Sequence, residues 1–93
     1  MSTTADSISH FESARVIVTE WRLPPGAETG HHVHSRDYVV VPLTDGTLRM
    51  HDGQGATDVP LCAGAACARP AGVAHNVTNP THSEFRFVEI ELK

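Results

Sequence analysis

Cysteine, basic clusters and long apolar runs are all scarce in this sequence, and each scarcity removes a class of protein. The two cysteines, Cys62 and Cys67, are too few to staple a secreted scaffold, and their C-x4-C spacing is not that of a zinc knuckle. Two buried, reduced thiols are expected instead. Seven Lys and Arg against eleven Asp and Glu give a formal charge of -4. No basic stretch is present to meet a phosphate backbone, so no nucleic-acid partner is expected. No apolar run approaches the ~20 residues that span a bilayer. The polar start, Met1 to Asp6, lacks the basic and apolar regions of a signal peptide. The expectation is a cytoplasmic protein with no membrane partner. Apolar residues do not recur at i, i+3, i+4 and i+7 over three turns anywhere, so helix is minor.

What remains is a globular composition, 40% hydrophobic and 19% charged over 93 residues, which is enough for one small core. Residues 1–12, rich in Ser and Thr, read as a flexible N-terminal arm, and 13–93 as a single domain. From Arg15 onward the chain reads as short strands split by turns. Arg15 to Leu23 alternates, with Ile17, Trp21 and Leu23 in one phase, and Pro24-Pro25-Gly26 stops it. Tyr38 to Leu43 is continuously apolar, as in a strand buried on both faces. Asp45-Gly46 is a hairpin turn, and Thr47 to His51 returns from it. Along Glu84 to Leu92, Phe85 and Phe87 share one phase while Val88, Ile90 and Leu92 take the other, which predicts a bulge. The fold class is all-β, a small antiparallel barrel of roughly eight strands.

Histidine is the residue in excess. Seven occur, roughly three times ordinary usage, and three of them are His31, His32 and His34. On a strand, His32 and His34 face the same side, and His31 the other. Two inward imidazoles are costly as bare buried bases but natural as metal ligands. His75 follows the turn Pro70-Ala71-Gly72-Val73-Ala74 and opens another strand. Three nitrogens from two strands make a facial site with coordination positions left open. Solvated loop histidines are the competing reading of the same spacing.

Two spaced patterns carry a family resemblance. Gly64-x5-Pro70-x-Gly72-x2-His75-x3-Asn79 matches the second cupin motif, G-x5-P-x-G-x2-H-x3-N, at every fixed position. Gly26-x5-His32-x-His34 matches the first half of the first cupin motif, and Gly46 matches its terminal glycine. The stretch from His34 to Leu43 also resembles a group of small stand-alone cupins, some associated with β-alanine degradation. The resemblance implies a jelly-roll β-barrel with one divalent transition metal inside, held by His32, His34 and His75. Iron is the metal it favours, with Zn, Ni, Mn or Cu as alternatives. The sequence departs from the first motif at its glutamate, the usual fourth ligand, because that slot falls on Tyr38 or Val39. Either Asp37, one residue short, replaces it, or the site has three histidines with Tyr38 lining it. A three-histidine site resembles that of cupin dioxygenases acting on thiols and β-diketones.

The resulting expectation is a metal-dependent, dioxygenase-like enzyme with Tyr38 or Asp37 as proton carrier. The alternatives are a non-oxidative isomerase or lyase using Zn, Ni or Mn, and a non-catalytic cupin that binds a small ligand or metal. A small polar or anionic substrate is expected from so short a barrel. Arg69 is read as a rim arginine able to clamp a carboxylate, Cys67 as packing or pocket lining, and Trp21 and Phe87 as core or dimer interface. A chain this short buries only about 60–65% of its unfolded surface, so a homodimer is expected.

Overall fold

The computed structural model of the chain describes residues 3–93, and eleven strands run through it: β1 (Thr3–Thr4), β2 (Asp6–Glu12), β3 (Val16–Leu23), β4 (Ala27–Glu28), β5 (His32–Val33), β6 (Tyr38–Pro42), β7 (Gly46–His51), β8 (Ala56–Leu61), β9 (Cys67–Arg69), β10 (Ala74–Thr78) and β11 (Phe85–Leu92). One sheet is ordered β1-β4-β10-β7-β8 with β5 also paired to β10, and the other β2-β3-β11-β6-β9. Every pairing is antiparallel except β1 with β4. The two sheets form a jelly-roll β-barrel, and no helix is present among the described residues. The all-β expectation holds. The strand count exceeds it because the two-residue strands β1, β4 and β5 are too short to leave an alternation in the sequence.

The N-terminal segment differs from its reading as an arm. Over its described part it is strand: β1 pairs with β4, Ala5 is buried, and β2 lies along β3 with Asp6 opposite Arg22 and Glu12 opposite Ile17. Met1 and Ser2 lie outside the described residues. β2 is an edge strand exposed on most of its length. Its Ser and Thr therefore reflect solvation and are compatible with pairing.

Period-2 alternation decides what faces inward. The buried core unites Leu23, Leu48, Val77, Phe85 and Phe87 from both sheets, each worth roughly 1.5–3 kcal/mol of transfer free energy. Gly46 permits this closure, since a Cβ there would lie 2.8 Å from Cδ2 of Phe85. The bulge expected in the last strand is absent. β11 keeps an unbroken register with β3 from Phe85–Leu23 to Leu92–Val16. Its inward phase runs Phe85, Phe87, Glu89, so the change of phase in hydrophobicity marks an acid turned inward. The irregularity sits in β2, between Ser9 and Phe11.

Tyr38 to Pro42 is not covered on both faces either. Tyr38 and Pro42 are buried, whereas Val39 to Val41 are only partly so. Val39 stands opposite Ile90, and Ile90 opposite Val18, on the outer side of the sheet. The thiols are free, with Cys62 exposed and Cys67 partly buried. Cys62 therefore departs from the buried reading, because it follows the end of β8 in a surface turn.

Candidate metal centre

β10 carries His75 and is the strand on which the site is assembled. His75 stands directly opposite His32 in the β10–β5 ladder. His34 follows β5 in extended backbone, where its N–H donates to the Val73 carbonyl (2.9 Å) and its carbonyl accepts from the Gly72 N–H (2.7 Å). Val33, between the two histidines, is 62% exposed, so its neighbours both turn inward. His31 is exposed, as alternation requires.

The three imidazoles converge. Nε2 of His32 lies 3.0 Å from Nε2 of His34, which lies 3.2 Å from Nε2 of His75. The Nδ1–H of His32 donates to the Gly30 carbonyl at 2.8 Å, leaving a lone pair on Nε2 of the neutral ring. Gly30, at φ 88°, is fixed in turn by its N–H donating to Asn76 Oδ1 at 3.0 Å. Left-handed backbone at this position suits glycine, and it is what aims the carbonyl at His32.

The donor set fits a metal ion. Two nitrogens each about 2.0–2.1 Å from one ion are roughly 3.0 Å apart at a right angle and 3.4 Å at the tetrahedral angle. The observed separations fall in this range. A single proton on His34 Nε2 cannot serve both neighbours, whereas one cation can bind all three lone pairs. His32, His34 and His75 thus form a group that could hold a metal.

Burial, then the nearby His32, lowers the His34 pKa; the same two causes, with His34 behind them, push His75 down to about 4. Neutral imidazole is the ligand form. Tyr38, 3% exposed, stacks on His34 with ring centroids 3.9 Å apart at 20°. Burial, reinforced by Glu89, raises the Tyr38 pKa.

Asp37 is not brought to the histidines. Because Tyr38 turns inward, Asp37 turns out, and its exposed carboxylate accepts from the Ala71 N–H at 2.8 Å. It ties the second-motif turn to the start of β6. Asp37 therefore does not replace the missing glutamate, and among the described residues no carboxylate joins the three-histidine group.

The histidines open into a cavity of about 550 Å³ lined also by Tyr38, Arg69, Glu89 and Glu91, with Trp21, Leu48, Leu61 and Phe87 farther in. Trp21 and Phe87 are thus cavity walls as well as core, contrary to their expected place. Arg69 enters none of the ion pairs among the described residues.

Glu89 is the residue that sequence reasoning missed. It is 8% exposed; burial first, and then a hydrogen bond to Glu91, push its pKa up to about 7. Its signal was present in the sequence, as the continuation of the Phe85–Phe87 phase. Asn79 of the second motif has a structural role. It is 1% exposed and donates to the carbonyls of Leu23 and Ser83, both at 2.8 Å.

A jelly-roll barrel closed around three convergent imidazoles defines a small barrel protein with a candidate metal centre. The chain belongs to the cupin family, whose domain, described as Cupin domain, matches residues 19–91. It is 58% identical over 82 residues to the beta-alanine degradation protein BauB of Pseudomonas aeruginosa, covering 88% of this chain and 86% of that one. An oxalate-binding protein of Thermotoga maritima is 29% identical over 69 residues, which are 74% of this chain and 55% of that one. The crystal structure of a cupin domain from Bordetella pertussis superposes with a TM-score of 0.97 at 49% identity, covering 100% of this chain and 97% of that one. No helix among the described residues is long and apolar enough to cross a membrane.

Proposed function

We propose that the chain is a metal-dependent enzyme of the cupin dioxygenase type, with one divalent transition metal, iron foremost, held by His32, His34 and His75. The observation that carries this reading is the meeting of three Nε2 atoms at 3.0 and 3.2 Å inside a cavity. When bound, the metal supplies Lewis acidity at positions the protein leaves open and, if it is iron, reactivity towards dioxygen.

The chain's own residues supply the rest. Gly30 orients His32, and Tyr38 holds the plane of His34. Arg69, unpaired at the mouth, receives an anionic substrate group. Glu89 carries a proton near neutral pH, where an acid–base group is most effective, and Tyr38 lies two positions along the same inner wall. Asp37 takes no part.

A specific observation favours a second reading. A buried carboxyl poised near neutrality suits proton transfer, so an isomerase or lyase using Zn, Ni or Mn is the alternative. The name of the Thermotoga maritima relative supports a third, a non-catalytic cupin binding a small anion.

Metal analysis by mass spectrometry on untagged, anaerobically purified protein, followed by oxygen uptake with small thiols and diketones, tests the proposal. About one iron per chain with substrate-dependent uptake is expected. Zinc or nickel without uptake would move the assignment to the second reading, and no metal after adding it back would overturn both enzyme readings.

A homodimer in the cytoplasm completes the proposal. Free thiols support the location. The outer row Phe11–Val18–Ile90–Val39, with Phe11 56% exposed, supports a second copy packed on this sheet.

A further inference from the structure

The cavity has two chemically different ends, and strand register orders them. Tyr38, Glu91 and Arg69 share one inward level across β6, β11 and β9. Val40, Glu89 and Cys67 make the next level, and Phe87 with Trp21 the one below. Two inward steps along a strand cover about 13 Å. From the opposite sheet, His75 lies level with His32, while Leu48 pairs with Val59 and Gly46 with Leu61 farther along β7 and β8. The histidines and Arg69 therefore stand at one end, and the other is walled by Trp21, Leu48, Val59, Leu61 and Phe87. Glu89 stands at the boundary between the two ends, level with Val40 and Cys67; Thr29 and Thr57 also line the cavity, and the buried Nε1–H of Trp21 has no hydrogen-bond partner among the described residues.

A small dianion would occupy the polar end and leave the apolar end in contact with nothing but water, at a cost for each unburied wall atom. Resting on the proposed metal site and naming its substrate class, we infer that the cavity takes an amphiphilic acid: a carboxylate head at the histidine and Arg69 end, and an unbranched or aromatic apolar tail of about five to seven carbons lying between Trp21 and Leu48. About 550 Å³ lies within the usual range for such pockets and exceeds what a two-carbon dianion fills. The expected substrate is thus narrower than small and anionic, because the apolar end adds a requirement for a tail.

Isothermal titration with straight-chain monocarboxylates from acetate to octanoate, on zinc-loaded and on metal-free protein, tests the inference. Affinity is expected to rise by up to about fourfold per methylene, at least about tenfold from acetate to hexanoate, and then to level off where the cavity ends. Oxalate, a head without a tail, reports the polar end separately, and its binding should require zinc. Val59→Phe and Leu61→Phe each shorten the apolar end; they should flatten the series beyond butyrate and leave zinc content, read by mass spectrometry, unchanged. A series flat in both forms of the wild-type protein overturns the inference, as does an undiminished series in both folded variants. Protein that takes up no zinc counts against the metal site instead, and the metal-free series then decides the tail by itself. If the variants fail to fold, the wild-type series decides.

Discussion

His32 and His75 are register partners across the β5–β10 ladder, with ring centroids 4.7 Å apart at 74°. Their meeting is a property of the sheet, since pairing β5 with β10 in this register puts both rings on one face. His34 then completes the group from the residue just past β5, locked by its backbone bonds to Val73 and Gly72.

Removing one imidazole should therefore empty the site without opening the barrel. His34→Ala is expected to lose metal affinity by at least about 100-fold while keeping the wild-type circular dichroism. Tyr38→Ala, which removes the ring stacked on His34, is expected to lose about 10–100-fold, and Tyr38→Phe much less. Metal content at fixed free metal checks all three; full retention in His34→Ala would contradict the assignment.

The metal-free protein should lose stability as pH falls from about 6.5 towards 4. Between these values the unfolded chain binds a proton at His75 that the folded chain refuses, its folded pKa being about 4. Above pH 6.5 both states are neutral there, and below 4 both are charged. Thermal melting across this range should therefore be shallower in His75→Ala than in the wild type.

Glu89 works in the opposite direction. Its folded pKa of about 7 lies above the ordinary 4.5, so its contribution is complete below about pH 4.5 and is lost as pH rises to 7. Glu89→Gln, neutral at every pH, should match the wild type in melting temperature near pH 4.5 and exceed it near pH 8. A melting difference independent of pH would refute the buried neutral acid.

Two motif residues are expected to matter for folding alone. Asn79→Ala strips hydrogen-bond partners from the Leu23 and Ser83 carbonyls and should cost about 2–4 kcal/mol in denaturant unfolding, with no change in metal content of the folded fraction.

Gly46→Ala forces a Cβ against Phe85 and should cost about 1–3 kcal/mol. Phe85→Leu in the same chain should recover part of that loss, which a double-mutant cycle measures.

The proposed homodimer should elute as a particle of about 20 kDa by light scattering, twice the 10.0 kDa chain. Ile90→Lys, in the middle of the outer apolar row, should yield a monomer. A monomeric wild type at micromolar concentration would rule the interface out.

Much of this arrangement was legible in the sequence, for identifiable reasons. The spacing of His32 and His34 and the second motif announced the three imidazoles, because period-2 geometry and turn glycines leave fixed marks. The N-terminal strands did not announce themselves, since an exposed edge strand needs no apolar alternation. Asp37 looked available by distance along the chain, and the alternation that buries Tyr38 excludes it. Glu89 left a local mark, as the continuation of the Phe85–Phe87 phase, whereas the place of Trp21 in the cavity wall depends on what closes over it from other strands, which no local pattern records.

The distance along the chain between the ligands has a consequence for how the molecule comes apart. His34 and His75 are separated by 41 positions. An ion bound to both ties the first half of the polypeptide to the last third, closing a loop whose ends would otherwise drift apart. A metal held there would act as a fastener, so chelation of the metal-loaded protein should hasten unfolding.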